Sequence, residues 1–405
     1  MIDLVGFGGG LAAVALTLLI QYLLRPVAHR WNLLDVPKGR KDHAHPTPII
    51  GGLAMAVGVL VVSWPVLGEM DSEFLAFGLG SGLLIAVGLL DDKYDLPWWL
   101  RLGVQTLAAL IMATMGGVRV ENLGPVLGLG DMTLGLFSVP FTVFATVGVI
   151  NAINMVDGAD GLAGSLVLTA LLMLYAASLY SGNTLMAERL MIIAGAVAAF
   201  LWFNLRFPWQ QRAQLFMGNA GSAFLGFVIA WASFRLTQTP SHPVSPVLAL
   251  WLLPIPVMDC LVLVVRRLRA GHSPFRADQN HVHHLFREAG IRPMRTVAIL
   301  CLFSALCGLA AGQALRMDIP EPLLLIAFLG LCVGWYWLTS SRQRGVNFIR
   351  RLGGQPLALA GLQTPPAQAQ GTAAHDAELD QAVNAPVSGD ARQDRSASEK
   401  ADQAA

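Results

Sequence analysis

Apolar residues along this chain fall into long runs broken by short polar stretches. A bilayer-spanning helix needs roughly 20 predominantly apolar residues, within about 17–25. Runs of that kind recur at 4–24, 48–67, 74–90, 101–118, 134–150, 162–180, 189–205, 215–236, 245–265, 296–315 and 321–340. The pattern predicts an all-α, polytopic integral membrane protein with about eleven transmembrane helices. Pro140 interrupts the run at 134–150. The first run, Leu4 to Leu24, is longer than the about 7–15-residue core of a cleaved signal and has no basic segment ahead of it, so it reads as a retained span. From 353 to 405 the chain is rich in Ala, Gln, Asp and Pro and has no aromatic residue. Such a segment cannot bury enough apolar surface to offset its ordering entropy. The expectation is a membrane domain at 1–345 and a disordered cytoplasmic tail at 353–405.

Composition agrees with the pattern. The chain is 55% hydrophobic and 13% charged, where an average soluble domain is about 25% charged. The formal net charge of +1 names no partner, and no nucleic-acid partner is expected. Cys260, Cys301, Cys307 and Cys332 lie in apolar segments without metal or redox spacing and read as small core residues.

Lys and Arg distribution sets orientation. The polar stretches after the odd-numbered runs carry Arg25, Arg30, Lys38, Arg40 and Lys41; Lys93 and Arg101; Arg206 and Arg212; seven arginines between Arg266 and Arg295; and Arg342, Arg344, Arg350 and Arg351. The other side carries Arg119, Arg189, Arg235 and Arg316. The N-terminus is therefore expected outside and the C-terminus in the cytoplasm. Every notable polar cluster then faces the cytoplasm.

Five clusters carry candidate chemistry. Asp91-Asp92-Lys93-Tyr94-Asp95 closes the third run; in a helix, Asp91 and Asp95 would share a face and call for positive charge between them, from a divalent cation or Lys93, and a solvated, helix-terminating acidic turn is the alternative. Pro97 opens the next helix, and Trp98 and Trp99 read as interfacial anchors. Asn151 to Leu162 reads NAINMVDGADGL, placing Asn154, Asp157 and Asp160 three residues apart beside Gly158 and Gly161. Oxygen donors of this kind suit Mg²⁺, which completes its shell with water and substrate phosphate; a polar turn held by Asx hydrogen bonds is the alternative. Phe216 to Ser222, FMGNAGS, is a Gly-rich turn into a helix whose N–H groups could meet an anion, or whose small residues allow close packing. Arg276 and the run Asn280-His281-Val282-His283-His284 lie in the long basic loop. Without Cys or an HExxH helix, they favour phosphate recognition or acid–base work over zinc. Arg40 to Pro48, with Lys41 and His43, suits anionic headgroups or a phosphate ligand. Acids for a metal and bases for phosphates at a membrane edge suggest phosphoryl chemistry.

Taken in order, DDKYD, NAINMVDGADGL, FMGNAGS and HSPFRADQNHVHHL resemble the motifs of the polyprenyl-phosphate N-acetylhexosamine-1-phosphate transferases (glycosyltransferase family 4), and most of all the WecA-type branch. DVPKGRKDHAHPTPIIGG resembles that family's first cytoplasmic loop. The resemblance covers residues 1–345. The phospho-MurNAc-pentapeptide branch differs, with Lys at the position of Asp95 and HHH in place of HVHH.

The resemblance implies transfer of N-acetylhexosamine-1-phosphate, most of all GlcNAc-1-phosphate, from a UDP-sugar to undecaprenyl phosphate, with release of UMP. That is the first membrane step of a cell-surface polysaccharide. It implies Mg²⁺, with Mn²⁺ as the alternative ion, a bacterial inner-membrane location and a homodimer as the oligomer to consider. By analogy, Asp91 handles the acceptor and Asp92 supports the metal–phosphate region. Asn154 and Asn219 are metal ligands, and Asp157 and Asp160 are nucleotide-site residues. Phe216 stacks on uracil. Arg276, His281, His283 and His284 contact diphosphate or sugar, and Lys41 and His43 are further phosphate contacts. The chain departs from the family at Asn219, where FMGD is usual and FMGN stands here; an amide brings no charge to a cation. From a different class, a transporter of an anionic solute or lipid is the competing reading, although transporters gather polar groups near the bilayer midplane and these acids lie at span ends.

Overall fold

The computed structural model describes residues 6–36, 46–67, 71–238, 244–271, 273 and 281–353. Its elements in order are α1 (Phe7–Arg30), β1 (Leu34–Asp35), β2 (Thr47–Pro48), α2 (Gly51–Leu67), α3 (Ser72–Tyr94), α4 (Trp98–Thr114), α5 (Ser138–Val156), α6 (Leu162–Tyr180), α7 (Thr184–Asn204), α8 (Gly218–Thr237), α9 (Leu248–Leu252), α10 (Pro254–Arg269), α11 (Val282–Glu288), α12 (Pro293–Arg316), α13 (Glu321–Thr339) and α14 (Arg342–Gly353). Among the described residues the protein is all-α apart from a two-residue antiparallel ribbon, which pairs Leu34 with Pro48 and Asp35 with Thr47.

Among the described residues, eight helices are long and apolar enough to cross a membrane: α1, α3, α5 with the 3₁₀ turn that precedes it, α6, α7, α8, α12 and α13. Helices α2 and α4 match expected spans but have 17 residues each. The run at 245–265 is not one helix: α9 ends at Leu252 and α10 starts at Pro254. Proline has no N–H and pushes the residue before it out of the helical region, and Leu253 accordingly sits at φ −127° and ψ 52°. Pro140 breaks nothing, because it lies in the first turn of α5, where its missing N–H has no helical partner to lose. Helix α1 runs through Pro26 to Arg30, so Arg25 and Arg30 are helical and not loop residues.

Helix α8 is the hub. Of its spanning window, 83% is buried, against 22% for α1 and α13. Its neighbours approach through small residues. A Cβ on Gly52 of α2 would lie 2.3 Å from Gly221 N, one on Gly88 of α3 2.3 Å from Ala220 Cα, and one on Gly226 2.5 Å from Ile150 Cα of α5. Helices α3 and α8 run antiparallel. Glu73, in the first turn of α3, pairs with Arg235, in the last turn of α8, at 3.2 Å, and with Arg189 of α7 at 3.2 Å. The opposite ends of the same two helices bring Asp91 and Asp92 to the start of α8.

The backbone contact at Gly88 leaves no room for a methyl group. Gly88→Ala should cost about 1–3 kcal/mol and lower the unfolding temperature in detergent. Gly103→Ala on α4, where nothing lies within 4 Å, should not. Equal melting of the two variants would refute this packing.

Candidate functional site

Asp92 joins the two halves of the site. Its Oδ1 accepts from Asn219 N at 2.8 Å and its Oδ2 from Ala220 N at 3.4 Å. The helix start expected to offer free N–H groups to an anion is thus already capped by a carboxylate of the chain itself, at the positive end of the helix dipole. Gly218 makes this possible. Its φ is +71°, and a Cβ there would lie 2.3 Å from both Asp92 Oδ2 and Ile49 Cγ2. Pro48 O accepts from Phe216 N at 2.9 Å, and Gly51 N and Gly52 N donate to Phe216 O and Met217 O at 3.0 and 3.2 Å. Phe216 itself is half-buried.

Asp91 is buried with both oxygens engaged: Oδ1 accepts from Leu96 N at 2.9 Å, and Oδ2 lies 3.3 Å from the Arg101 guanidinium. Asp95 ends the helix and does not continue it: it adopts the left-handed conformation at φ 54° and caps α3 through its N–H to Asp91 O.

The Asn151–Leu162 segment is half helix. Asn151 and Asn154 lie in the last turns of α5, and only the residues between Val156 and Leu162 form the loop. Asn154 Nδ2 donates to Asn219 Oδ1 at 2.9 Å and to Ser222 Oγ at 2.8 Å, so the second and third motifs meet directly. Asp157 follows at the end of α5, half-buried, and no side chain hydrogen-bonds its carboxylate among the described residues. Burial, and then the nearby charges of Asp92 and Asp160, push its pKa up to about 7. Asp160 is committed to the fold: its Oδ2 accepts from Arg206 Nε at 2.7 Å and Ala213 N at 3.2 Å. Buried Asn204 completes that corner, accepting from Gly161 N and donating to Leu215 O.

The histidine segment seats on this loop. A Cβ on Gly158 would lie 2.4 Å from His283 Nε2, so only glycine admits the ring there. His283 and His284 are 4.1 Å apart between ring centroids, and His281 stacks near-parallel to His283 at 5.9 Å. Burial, and then the neighbouring histidines, hold the His283 pKa down to about 3, so its ring stays neutral. Its buried Nδ1 has no hydrogen-bond partner among the described residues. Lys41, His43 and Arg276 lie outside the described residues.

One site residue is absent from the motifs. Buried Asp259 of α10 holds His281 Nδ1 at 3.1 Å and accepts from Val282 N at 3.4 Å and Trp335 Nε1 at 3.3 Å. A carboxylate only accepts, so Nδ1 carries a hydrogen, and Nε2 is the nitrogen that Asp259 does not engage. The sequence signal for Asp259 is its standing as the lone carboxylate in the run 245–265.

These groups bring carboxylates and amides together beside a neutral imidazole. Among the described residues, no three or more His, Cys, Asp or Glu side chains form a metal cage by themselves. Mg²⁺ requires none, since it takes one or two carboxylates and completes its shell with water and phosphate. The unpartnered Asp157 carboxylate beside Asp92 and Asp160 fits such a cation.

Comparison with known proteins gives concordant matches. A family model described as glycosyl transferase family 4 matches residues 74–237. The chain is 32% identical to the undecaprenyl-phosphate alpha-N-acetylglucosaminyl 1-phosphate transferase of Escherichia coli strain K12, over 83% of this chain and 91% of that protein. It is 34% identical to the protein of that name from Yersinia pestis, over 82% and 90%. For the one from Haemophilus influenzae the identity is 33%, over 83% and 94%.

Asp259→Leu removes the acceptor of three buried donors. Local stability of α11 should fall by about 1–3 kcal/mol, seen as faster amide exchange at 281–289. Unchanged exchange there would remove Asp259 from this role.

Proposed function

Because the chain belongs to glycosyl transferase family 4, we propose that it transfers GlcNAc-1-phosphate from UDP-GlcNAc to undecaprenyl phosphate, giving undecaprenyl-diphospho-GlcNAc and UMP. The observation that carries this reading is the meeting of Asp92, Asn154, Asp157, Asn219 and His283 at one end of the helix bundle, in a chain similar along most of its length to transferases of that name. Those names do not favour the transporter alternative.

An oxygen of the lipid phosphate attacks the sugar-bearing β-phosphorus. The bond from that phosphorus to the oxygen bridging the α-phosphate breaks, and UMP leaves with the oxygen. The acceptor is largely dianionic near neutral pH, its second pKa being near 6, so no strong base is needed. Asp91, with both oxygens paired, then serves as the fixed acceptor-side anchor, and Arg101, held by it, presents its charge there. Asp92 keeps the start of α8 in place. Neutral His283, with a free Nδ1, and His281, set by Asp259, offer hydrogen bonds to diphosphate or sugar. Phe216 is assigned to the uracil. Asn154, Asn219 and Asp157 would hold Mg²⁺ or Mn²⁺, which when bound supplies positive charge against the diphosphate. Asp160 supports the nucleotide side through the loop it pins.

The membrane arrangement follows the same reading. Helices α2 and α4 are at the short limit for a span, and α9 with α10 forms one broken crossing; with the eight long helices these make eleven. The Lys and Arg distribution puts the N-terminus outside and the site at the cytoplasmic face of the bacterial inner membrane, where nucleotide sugars are present.

Purified protein should release UMP from UDP-GlcNAc only when undecaprenyl phosphate and a divalent cation are both present; no UMP from any UDP-N-acetylhexosamine would end this reading. A second test uses Asp157. Its raised pKa means the carboxyl holds a proton below about pH 7, and that proton must leave for a cation to bind beside it. The dissociation constant for Mn²⁺, read by electron paramagnetic resonance, should rise roughly tenfold between about pH 8 and about pH 6. In Asp157→Asn it should stay nearly flat, and identical pH profiles would exclude Asp157 from the cation site.

A further inference from the structure

Helix α14 has two faces with separate tasks. Gly345, Val346 and Ile349 turn inward, and Val346 and Ile349 pack in one apolar cluster with Val282, Leu285 and Phe286 of α11, the helix that carries His283 and His284. Arg342 Nε pairs with Glu288 Oε2 at 2.6 Å and Arg350 donates to Glu288 O at 3.3 Å, which locks α14 to the last residue of α11. The other face is a stripe at helical spacing, Arg344, Asn347, Phe348 and Arg351, all exposed. No acidic residue occurs in the helix.

We propose that this outer stripe binds the anionic phospholipid headgroups of the cytoplasmic leaflet, and so couples lipid charge to the position of the histidine helix. Three observations place the stripe there. Span α13 ends at Thr339, three residues before α14 begins. Trp337, in the last turn of that span, is exposed, as an interfacial aromatic is, and the Arg344 guanidinium sits 4.4 Å over its ring and donates to its carbonyl at 2.7 Å. Phe348, also exposed, lies between the two outward arginines, an arrangement of aromatic and basic side chains suited to a headgroup layer. Retention of the C-terminus in the cytoplasm needs only positive charge near the span. It does not require Arg344 and Arg351 to stand one face away from Val346 and Ile349. The link to the donor-side histidines rests on the proposed transferase reading, whereas lipid binding by α14 does not.

The full-length protein is placed in nanodiscs of phosphatidylcholine alone or with phosphatidylglycerol, and amide exchange is followed at 281–289 and 342–353. Phosphatidylglycerol should slow exchange in both segments, by about fivefold or more for each arginine engaged. The difference should vanish in Arg344→Gln/Arg351→Gln. Because Arg344 also contacts Trp337, Arg351→Glu alone is the second variant, and it should lose most of the effect. Equal exchange in the two lipids overturns the proposal. So does protection that is independent of lipid and disappears when residues 354–405 are removed, since that segment carries seven acidic and three basic residues and would then be the occupant. Slowing at 342–353 alone keeps the lipid contact and overturns the coupling.

Discussion

The Asp92 carboxylate on the first N–H groups of α8 is the constraint from which the rest of the site follows. It fixes the end of α3 against the start of the most buried helix, and the glycines at positions 88 and 218 leave room for that approach. It also gives the unusual Asn219 a physical setting. An aspartate there would add a second carboxylate beside Asp92 at one helix start. The amide removes that repulsion and engages Asn154 by hydrogen bond, at the expense of a negative charge for a cation. The negative charge available at this corner is therefore carried by Asp92 and Asp157.

A second layer rests on the first. The loop after α5 is short, and Gly158 lets an imidazole lie directly on its backbone. Burial keeps that imidazole neutral, so His283 acts as a hydrogen-bonding group and not as a cation. Asp259 anchors the same segment from α10 and ties it to Trp335 on α13. Two helices that contribute no motif residue thus decide where the motif histidines stand.

Much of this was legible in the chain. Apolar run lengths predict the helices, and grouping of the polar clusters on one side predicts that they meet. What a linear pattern does not show is who satisfies whom. The Gly-rich turn at Phe216–Ser222 reads as an open anion site, yet its donors are taken by a residue more than a hundred positions away. The acidic pair at Asp91 and Asp95 reads as one helical face, yet the chain leaves the helix at Asp95, and the positive charge beside Asp91 comes from Arg101. Pro254 marks its break plainly; length alone masks it, because the two halves together still look like one span. Asp259 is a single letter in an apolar run, and its significance depends on a tryptophan and a histidine on other elements.

The unequal burial of the helices has a mechanical consequence. Bilayers differ in thickness, and a helix in contact with lipid adjusts by tilting or by moving its ends. Helices α1 and α13 present most of their surface outward, while α8 presents almost none. Changes in bilayer thickness are then absorbed at the periphery of the bundle, and the helix that carries Asn219 keeps its height and angle. The groups at the start of α8 are referenced to the protein interior, so their spacing is insulated from bilayer thickness.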